Sequence, residues 1–396
     1  MAAHGEPGYY SGMHFSEDEY NARVAQTREH MQQRGLSALL LFAQESHHYL
    51  TGYDSTGYVF FQTVVLMAED QPTTLLCRRP DVAQARDTST IHDVRVWLNA
   101  EDANPALDLK KILVDKGLAG KRLGIELDTY GLTAANYLLV REALEGFCEL
   151  VDASDIVRTQ RLTKSQTELE YVRKAGQLAD AAVNAVFEHA APGVLETDLT
   201  SAAYHAILHG GGDPAPGDPL INSGSRAVYG RSVSGPRHLA ANEQVLVELA
   251  GTYRRYNCCI ERTLVLGTLS TAQHDQHQVV LEAQLACLEA FKPGEPLGQV
   301  DDAHRRVLDA AGYADERFAA CGYSLGATYR PSWMDVPPMI YSGNTLIMAP
   351  GMVFFPHVML GDKRSGIAVG LGNTVVVTET GSESLSALPL DLMVKS

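Results

Sequence analysis

Residues 245–267, VLVELAGTYRRYNCCIERTLVLG, are two apolar runs that meet at a short polar break, YRRY (253–256). Both runs are rich in branched aliphatic side chains, which favours two antiparallel strands joined by a tight turn. Each run carries one carboxylate, Glu248 in the first and Glu261 in the second. Successive residues of a strand face opposite sides, and counting along the two arms places both carboxylates on the same side of the hairpin. Burying a carboxylate without a partner costs several kcal/mol, so this pair is either held by structural partners or belongs to a site. Arg262, beside Glu261, is the structural candidate for such a partner.

Working outward, SQTE (165–168) has the form of a capping box, and apolar residues follow at helical spacing until Pro192-Gly193. Further helices are expected over 198–209, 271–291 and 300–311, and a second strand pair joins GMVFFPHVML (351–360) to GNTVVVTETG (372–381). Helix pairs alternating with antiparallel hairpins make an α+β domain over 160–396. Before it, residues 1–15 read as a loose arm, and 15–35 as a helix stopped by Gly35. Strands are expected at 37–43, 58–68, 73–77, 94–98 and 123–127, with helices at 104–116, capped by Asn104 ahead of Pro105, and at 134–144. That alternation predicts an α/β domain over 15–155. His47-His48 falls at a loop end in this reading.

The composition narrows the function. There are 32 basic and 48 acidic side chains, a net charge of −16, which argues against a nucleic-acid partner and suits a small cationic or zwitterionic one. No apolar run is long enough for a membrane helix, and MAAHGEPGYYSGMHF lacks the basic and apolar regions of a secretory leader. The six cysteines show no CxxC spacing, so reduced thiols in a cytoplasmic protein are expected, with Cys258-Cys259 as packing.

Several motifs together resemble the creatinase, prolidase and aminopeptidase P superfamily, whose catalytic domain is the pita-bread fold. YLTGYDSTG (49–57) resembles the signature of its N-terminal domain. LTKSQTELEYVRKA (162–175), the 245–267 hairpin, CGYSLGATYRP (321–331), PGMVFF (350–355) and GNTVVVTETG follow in the family's order. The resemblance implies an α/β N-terminal domain followed by the α+β pita-bread catalytic domain. Peptidases of this fold hold two divalent metals with two Asp, one His and two Glu. The matching positions here are Glu248, Cys259, Tyr323, His357 and Gly372, of which only Glu248 keeps a carboxylate. The resemblance therefore points to the metal-free branch, with no metal and no cofactor. In that branch creatinase and ectoine hydrolase break a C–N bond at a guanidine or amidine carbon.

On this reading Glu248, Glu261 and His238 are the catalytic candidates, and Tyr323, His357, Tyr53 and Tyr329 the substrate-binding ones. Glu261 sits where creatinase-like members carry a substrate-binding Glu, while VELAG, YRRY, YRPSW (329–333) and LTGYD resemble the ectoine-hydrolase pattern. His238 in GPRHL matches the position of a substrate-facing His, although the segment between it and Glu248 is several residues shorter than the family pattern. Two carboxylates holding a cationic substrate take over the orienting role of a metal, and a histidine has the intrinsic pKa to shuttle a proton at neutral pH. The resemblance also implies a homodimer in which residues 49–54 approach the partner's pocket. The alternatives are a creatinase-like amidinohydrolase, a metal-dependent Xaa-Pro dipeptidase, and a non-catalytic pita-bread binding module. Substrate contacts are expected in loops such as 213–231.

Overall fold

The computed structural model describes residues 12–362 and 364–396, and its contacts divide the chain into two units, one ending at Arg161 and one starting at Leu162. In the first unit strands β1 (Ala38–Leu41), β2 (Thr63–Met67), β3 (Thr74–Arg78), β4 (Asp93–Trp97), β5 (Arg122–Ile125) and β6 (Glu149–Asp152) form a mixed sheet in the order β4-β3-β2-β1-β5-β6. Helices α1 (Glu17–Gln33), α2 (Gln44–Thr51), α3 (Val82–Thr88) and α6 (Asp155–Gln160) supply residues to one face, and α4 (Pro105–Asp115) and α5 (Ala134–Leu144) to the other. Burial on both faces explains the unbroken apolar run of β1.

Two elements here depart from the sequence reading. The run expected as a strand over 58–68 forms strand only from Thr63; its start is a 3₁₀ turn that leaves Val59 and Phe60 exposed. His47-His48 lies not at a loop end but inside α2, fully buried. The start of α2 is satisfied from a distance: Phe42 N and Ala43 N each donate to Glu126 Oε2 at 2.8 Å, and Ser46 Oγ donates to Oε1 at 2.6 Å. The loose arm lies outside the described residues up to residue 11. Beyond it Phe15 is buried beneath the Arg23 guanidinium, so its end is packed.

In the second unit helices α7 (Gln166–His189), α8 (Glu196–His209), α9 (Thr271–Ala290) and α10 (Gly298–Ala310) pack on one face of a sheet. The capping box of α7 is formed by Ser165 and Glu168 as the sequence indicated. The strands are β7 (Leu220–Ser223), β8 (Glu243–Tyr253), β9 (Tyr256–Leu266), β10 (Gly322–Leu325), β11 (Met334–Ile340), β12 (Val353–Asp362) and β13 (Ile367–Asn373), ordered β11-β10-β12-β13-β9-β8-β7. Of the short strands β14 (Val375–Val377), β15 (Ser382–Ser384) and β16 (Met393–Lys395), β14 pairs with β12 and β15, and β16 lies parallel to β9. The long hairpin partner of β12 is β13, which begins at Ile367; the 372–381 run supplies only its last two residues and then β14 against Val353 and Phe354.

The β8–β9 hairpin closes through Arg254 and Arg255, with φ of 49° and 71°. Both central residues are left-handed, the arrangement of a two-residue turn matched to strand twist. Asp213 Oδ2 holds the turn by accepting from Arg255 N at 3.0 Å. Val245, Val247 and Leu249 of β8, Ile260 and Leu264 of β9, Val369 and Leu371 of β13, and Val358 and Leu360 of β12 pack in the two clusters beneath the helices. The residues between them point to the opposite face, and that face carries the site.

Candidate active site

Backbone register lines up one transverse row across four strands: Glu248 on β8 opposes Glu261 on β9, Glu261 opposes Gly372 on β13, and Gly372 opposes His357 on β12. Directly opposed residues share a face, so the two carboxylates and the imidazole project together. One strand further, Tyr323 on β10 pairs with Phe355, two residues before His357. The row needs space at two glycines. A Cβ on Gly370 would lie 2.1 Å from Glu261 Oε1, and one on Gly372 would lie 2.5 Å from the Phe355 ring.

Glu261 is wholly buried, and its Oε2 lies 3.1 Å from His357 Nδ1. A carboxylate only accepts, so Nδ1 carries the proton and Nε2 is the nitrogen free to exchange one. Glu261 Oε1 is buried with no hydrogen-bond partner. The Tyr323 hydroxyl donates to Glu248 Oε1 at 3.1 Å and accepts from Trp333 Nε1 at 2.8 Å. The Phe355 ring stacks on His357 with centroids 5.0 Å apart and planes at 16°. Glu248, Tyr323, Trp333 and His357 line a cavity of about 630 Å³ together with residues 217–233 and 318–322.

Burial, together with the charge of Glu261, pushes the Glu248 carboxyl up to about 7, against the opposing pull of His357 and the Tyr323 hydrogen bond. Burial alone would lower His357, but the hydrogen bond and charge of Glu261 with the charge of Glu248 overcome it and raise the imidazole above its usual value. A carboxyl pushed up to about 7 and an imidazole raised above its usual value thus face one cavity, an arrangement suited to acid–base work.

Of the five positions matched to metal ligands, Cys259, Tyr323 and Gly372 are neither carboxylate nor imidazole. The Cys259 thiol is buried, and burial with the Glu248 charge raises it well above its usual range. Burial and Glu248 likewise keep the Tyr323 phenol protonated, and its oxygen is taken by Trp333. The space a side chain at 372 would need is filled by Phe355. Glu248, Glu261 and His357 do each offer an atom within 4.8 Å of the others, but the Glu261–His357 hydrogen bond already uses one of those pairs.

Of the sequence candidates, Glu248, Glu261, Tyr323 and His357 come together. His238 does not: it is exposed, its Nδ1 lies 2.9 Å from the Gly193 carbonyl, and it lies outside the cavity wall. Tyr53 is buried within the first unit, its hydroxyl donating to Gln62 Oε1 at 3.2 Å, which leaves no surface for a substrate. Tyr329 is buried under the Arg255 guanidinium, and Trp333, four residues on, supplies the cavity wall instead. Arg262 is not the partner of the Glu261 carboxylate: it faces the other side and donates to the carbonyls of Glu261, Gly372 and Pro389. The six cysteines are unpaired, and Cys258 and Cys259 are buried. The residues that sequence reasoning missed are Arg231, Phe355 and Trp333; the last two sit inside quoted motifs, and Arg231 ends the loop singled out for substrate contacts.

A family model described as metallopeptidase family M24 matches residues 170–379, and one described as the creatinase/prolidase N-terminal domain matches residues 23–163. The chain is 28% identical over 398 residues to an ectoine hydrolase of Halomonas elongata, covering 96% of this chain and 98% of that protein. It is 29% identical to an uncharacterised hydrolase/peptidase of Sinorhizobium fredii over 97% of this chain and 99% of the relative. It is also 27% identical to an Xaa-Pro dipeptidase of Pyrococcus furiosus over 62% of this chain and 69% of that one. Among solved structures, dipeptidase PepE of Mycobacterium ulcerans superposes with a TM-score of 0.82 at 26% identity, covering 96% of this chain and 99% of the other. Among the described residues no helix is long and apolar enough to cross a membrane.

Proposed function

The chain belongs to metallopeptidase family M24, and we propose that within it this protein is a metal-independent hydrolase of a C–N bond in a small amidine or guanidine compound, ectoine being the first substrate to test. The observation that carries this reading is the row Glu248–Glu261–His357 with Phe355 packed into the place of a fifth metal ligand. The near full-length similarity to an ectoine hydrolase supports it.

An amidinium brings its own positive charge, and the Glu248 carboxylate in the cavity wall, with Glu261 paired to it across the hairpin, supplies the negative charge that meets it. Glu248 then acts on the amidinium carbon, with its own oxygen or through a water it deprotonates; either route requires the carboxylate form. His357 hands a proton to the departing nitrogen. Where Glu248 attacks with its own oxygen, a water then displaces that oxygen from the carbon; by either route one water is consumed, one C–O bond forms and one C–N bond breaks overall, leaving an amide and an amine. The family's homodimer is part of the proposal, and light scattering of the active species tests it.

The deciding experiment is incubation with ectoine, creatine and an Xaa-Pro dipeptide, with and without EDTA, alongside elemental analysis. Ectoine turnover that survives EDTA in protein without stoichiometric metal is the expected result. Xaa-Pro cleavage abolished by EDTA, with metal bound per chain, selects the dipeptidase reading instead. Absence of turnover with every substrate selects the binding module.

The pH profile follows from the same groups. In free protein Glu248 must lose its proton, so kcat/KM rises with pH through about 7 and falls again above the raised pKa of His357. A bound cation favours the charged carboxylate, so the acidic limb of kcat lies at lower pH than that of kcat/KM. Coincident acidic limbs in the two profiles would remove Glu248 from contact with a cationic substrate.

A further inference from the structure

Three arginines lie on the segment that leads from β7 to β8. Two are committed: Arg226 pairs with Glu196 at 2.8 Å and Arg237 with Glu243 at 2.9 Å. The third, Arg231, is exposed and lines the cavity with Glu248 and His357, and among the described residues no carboxylate pairs with it. Asp218, an acidic group in the same lining, already accepts from the Tyr204 hydroxyl at 2.7 Å and has Arg330 at 3.6 Å. The cavity therefore presents charges of opposite sign in one wall: a guanidinium without an anion at Arg231, and the Glu248 carboxyl with Glu261 paired to it across the hairpin.

We propose that Arg231 anchors a carboxylate on the substrate, so that the site takes zwitterions in which a carboxylate and an amidinium are fixed on one small frame. This rests on the amidine-hydrolase reading and adds the half of the substrate that does not react. A guanidinium holds a carboxylate by paired, charge-assisted hydrogen bonds with directional preference. With the anion held at Arg231 and the cation at Glu248, the substrate has one orientation. The positive charge of Arg231 also reaches the pair, opposing protonation of both Glu248 and His357. Neutralising it with the substrate's own carboxylate would ease proton uptake at His357 when the complex forms.

The test compares ectoine with the same cyclic amidine lacking its carboxylate, by calorimetric binding and turnover. Wild type should prefer ectoine by about 10–100-fold, the worth of hydrogen bonds to a charged group. Arg231→Gln should erase that preference by weakening ectoine alone, raising KM while kcat stays within about threefold, and Arg231→Lys should restore part of it. If Arg231→Gln binds both probes as wild type does, or weakens both equally, Arg231 is not the anchor although the amidine reading stands. If wild type hydrolyses neither probe, the amidine reading fails and the anchor with it.

Discussion

Glu248→Gln lowers kcat by about 10³–10⁵-fold while the melting temperature at pH 8 holds or rises. The first half follows from its place: the carboxylate sits in the cavity wall beside Tyr323, and an amide keeps the shape without the basicity or the charge. Losing the group that delivers the nucleophile costs more than the loss of one positioned acid–base group, which is worth about 10²–10⁴-fold. The second half follows from the sign of its shift. The folded-state pKa is raised from 4.5 to about 7, so its contribution to stability is full below the unfolded value and is lost as pH rises through about 7. At pH 8 the wild type holds two buried carboxylates as direct neighbours across the hairpin, and the amide relieves that repulsion. His238→Ala, at an exposed position, is the control and should change kcat less than twofold. Steady-state kinetics with thermal melts at pH 5 and pH 8 read both effects. A fully active Glu248→Gln, with only its melting temperature altered, would make the carboxylate pair structural.

Much of this architecture is legible in sequence because its signals are local. The α7 capping box lies within four residues, and the β8–β9 hairpin announces itself by composition. Even the cross-strand pairing of Glu248 with Glu261 follows from counting along two arms of a hairpin, because the strand period is fixed. What stays hidden depends on partners far along the chain. Helix α2 begins just after Phe42 and Ala43, whose amides donate to Glu126 more than eighty residues away, and its N-cap Ala43 offers no side-chain hydrogen bond to mark the start. Strand β13 is masked by its own function: IAVGLGN gives up β-forming side chains at Gly370 and Gly372 to make room for Glu261 and Phe355. The sequence names two histidines, His238 as catalytic and His357 as substrate-binding, and only the second meets the carboxylate pair. His238 matches a motif position, but only the register of β12 against β13 brings His357 to Glu261.

The same register gives the second large effect: Gly372→Glu, which restores the carboxylate that the family's metal-dependent members carry there, should damage the fold without gaining a metal. A Cβ at 372 lies 2.5 Å from Phe355 Cζ and 2.7 Å from His357 Cβ. Neither neighbour can withdraw easily. Phe355 is fully buried, stacked on His357 at 5.0 Å and packed against Tyr323 at 5.5 Å, while the His357 Cβ is fixed by its strand. Overpacking costs about 1–3 kcal/mol, and a new buried carboxylate beside Glu261 adds more. A destabilisation of about 3 kcal/mol or more lowers the melting temperature by about 6 °C or more in a unit of this size. Gly372→Ala separates the terms, because it brings the steric clash without the charge and should fall between the two. Displacing the Phe355 ring also tilts His357 away from Glu261, so both variants should lose turnover along with stability. The opposite outcome is equally readable: a Gly372→Glu protein with unchanged melting temperature that takes up two metal ions per chain would mean that Phe355 yields its place, and that the site is a dormant metal centre, not a replacement for one.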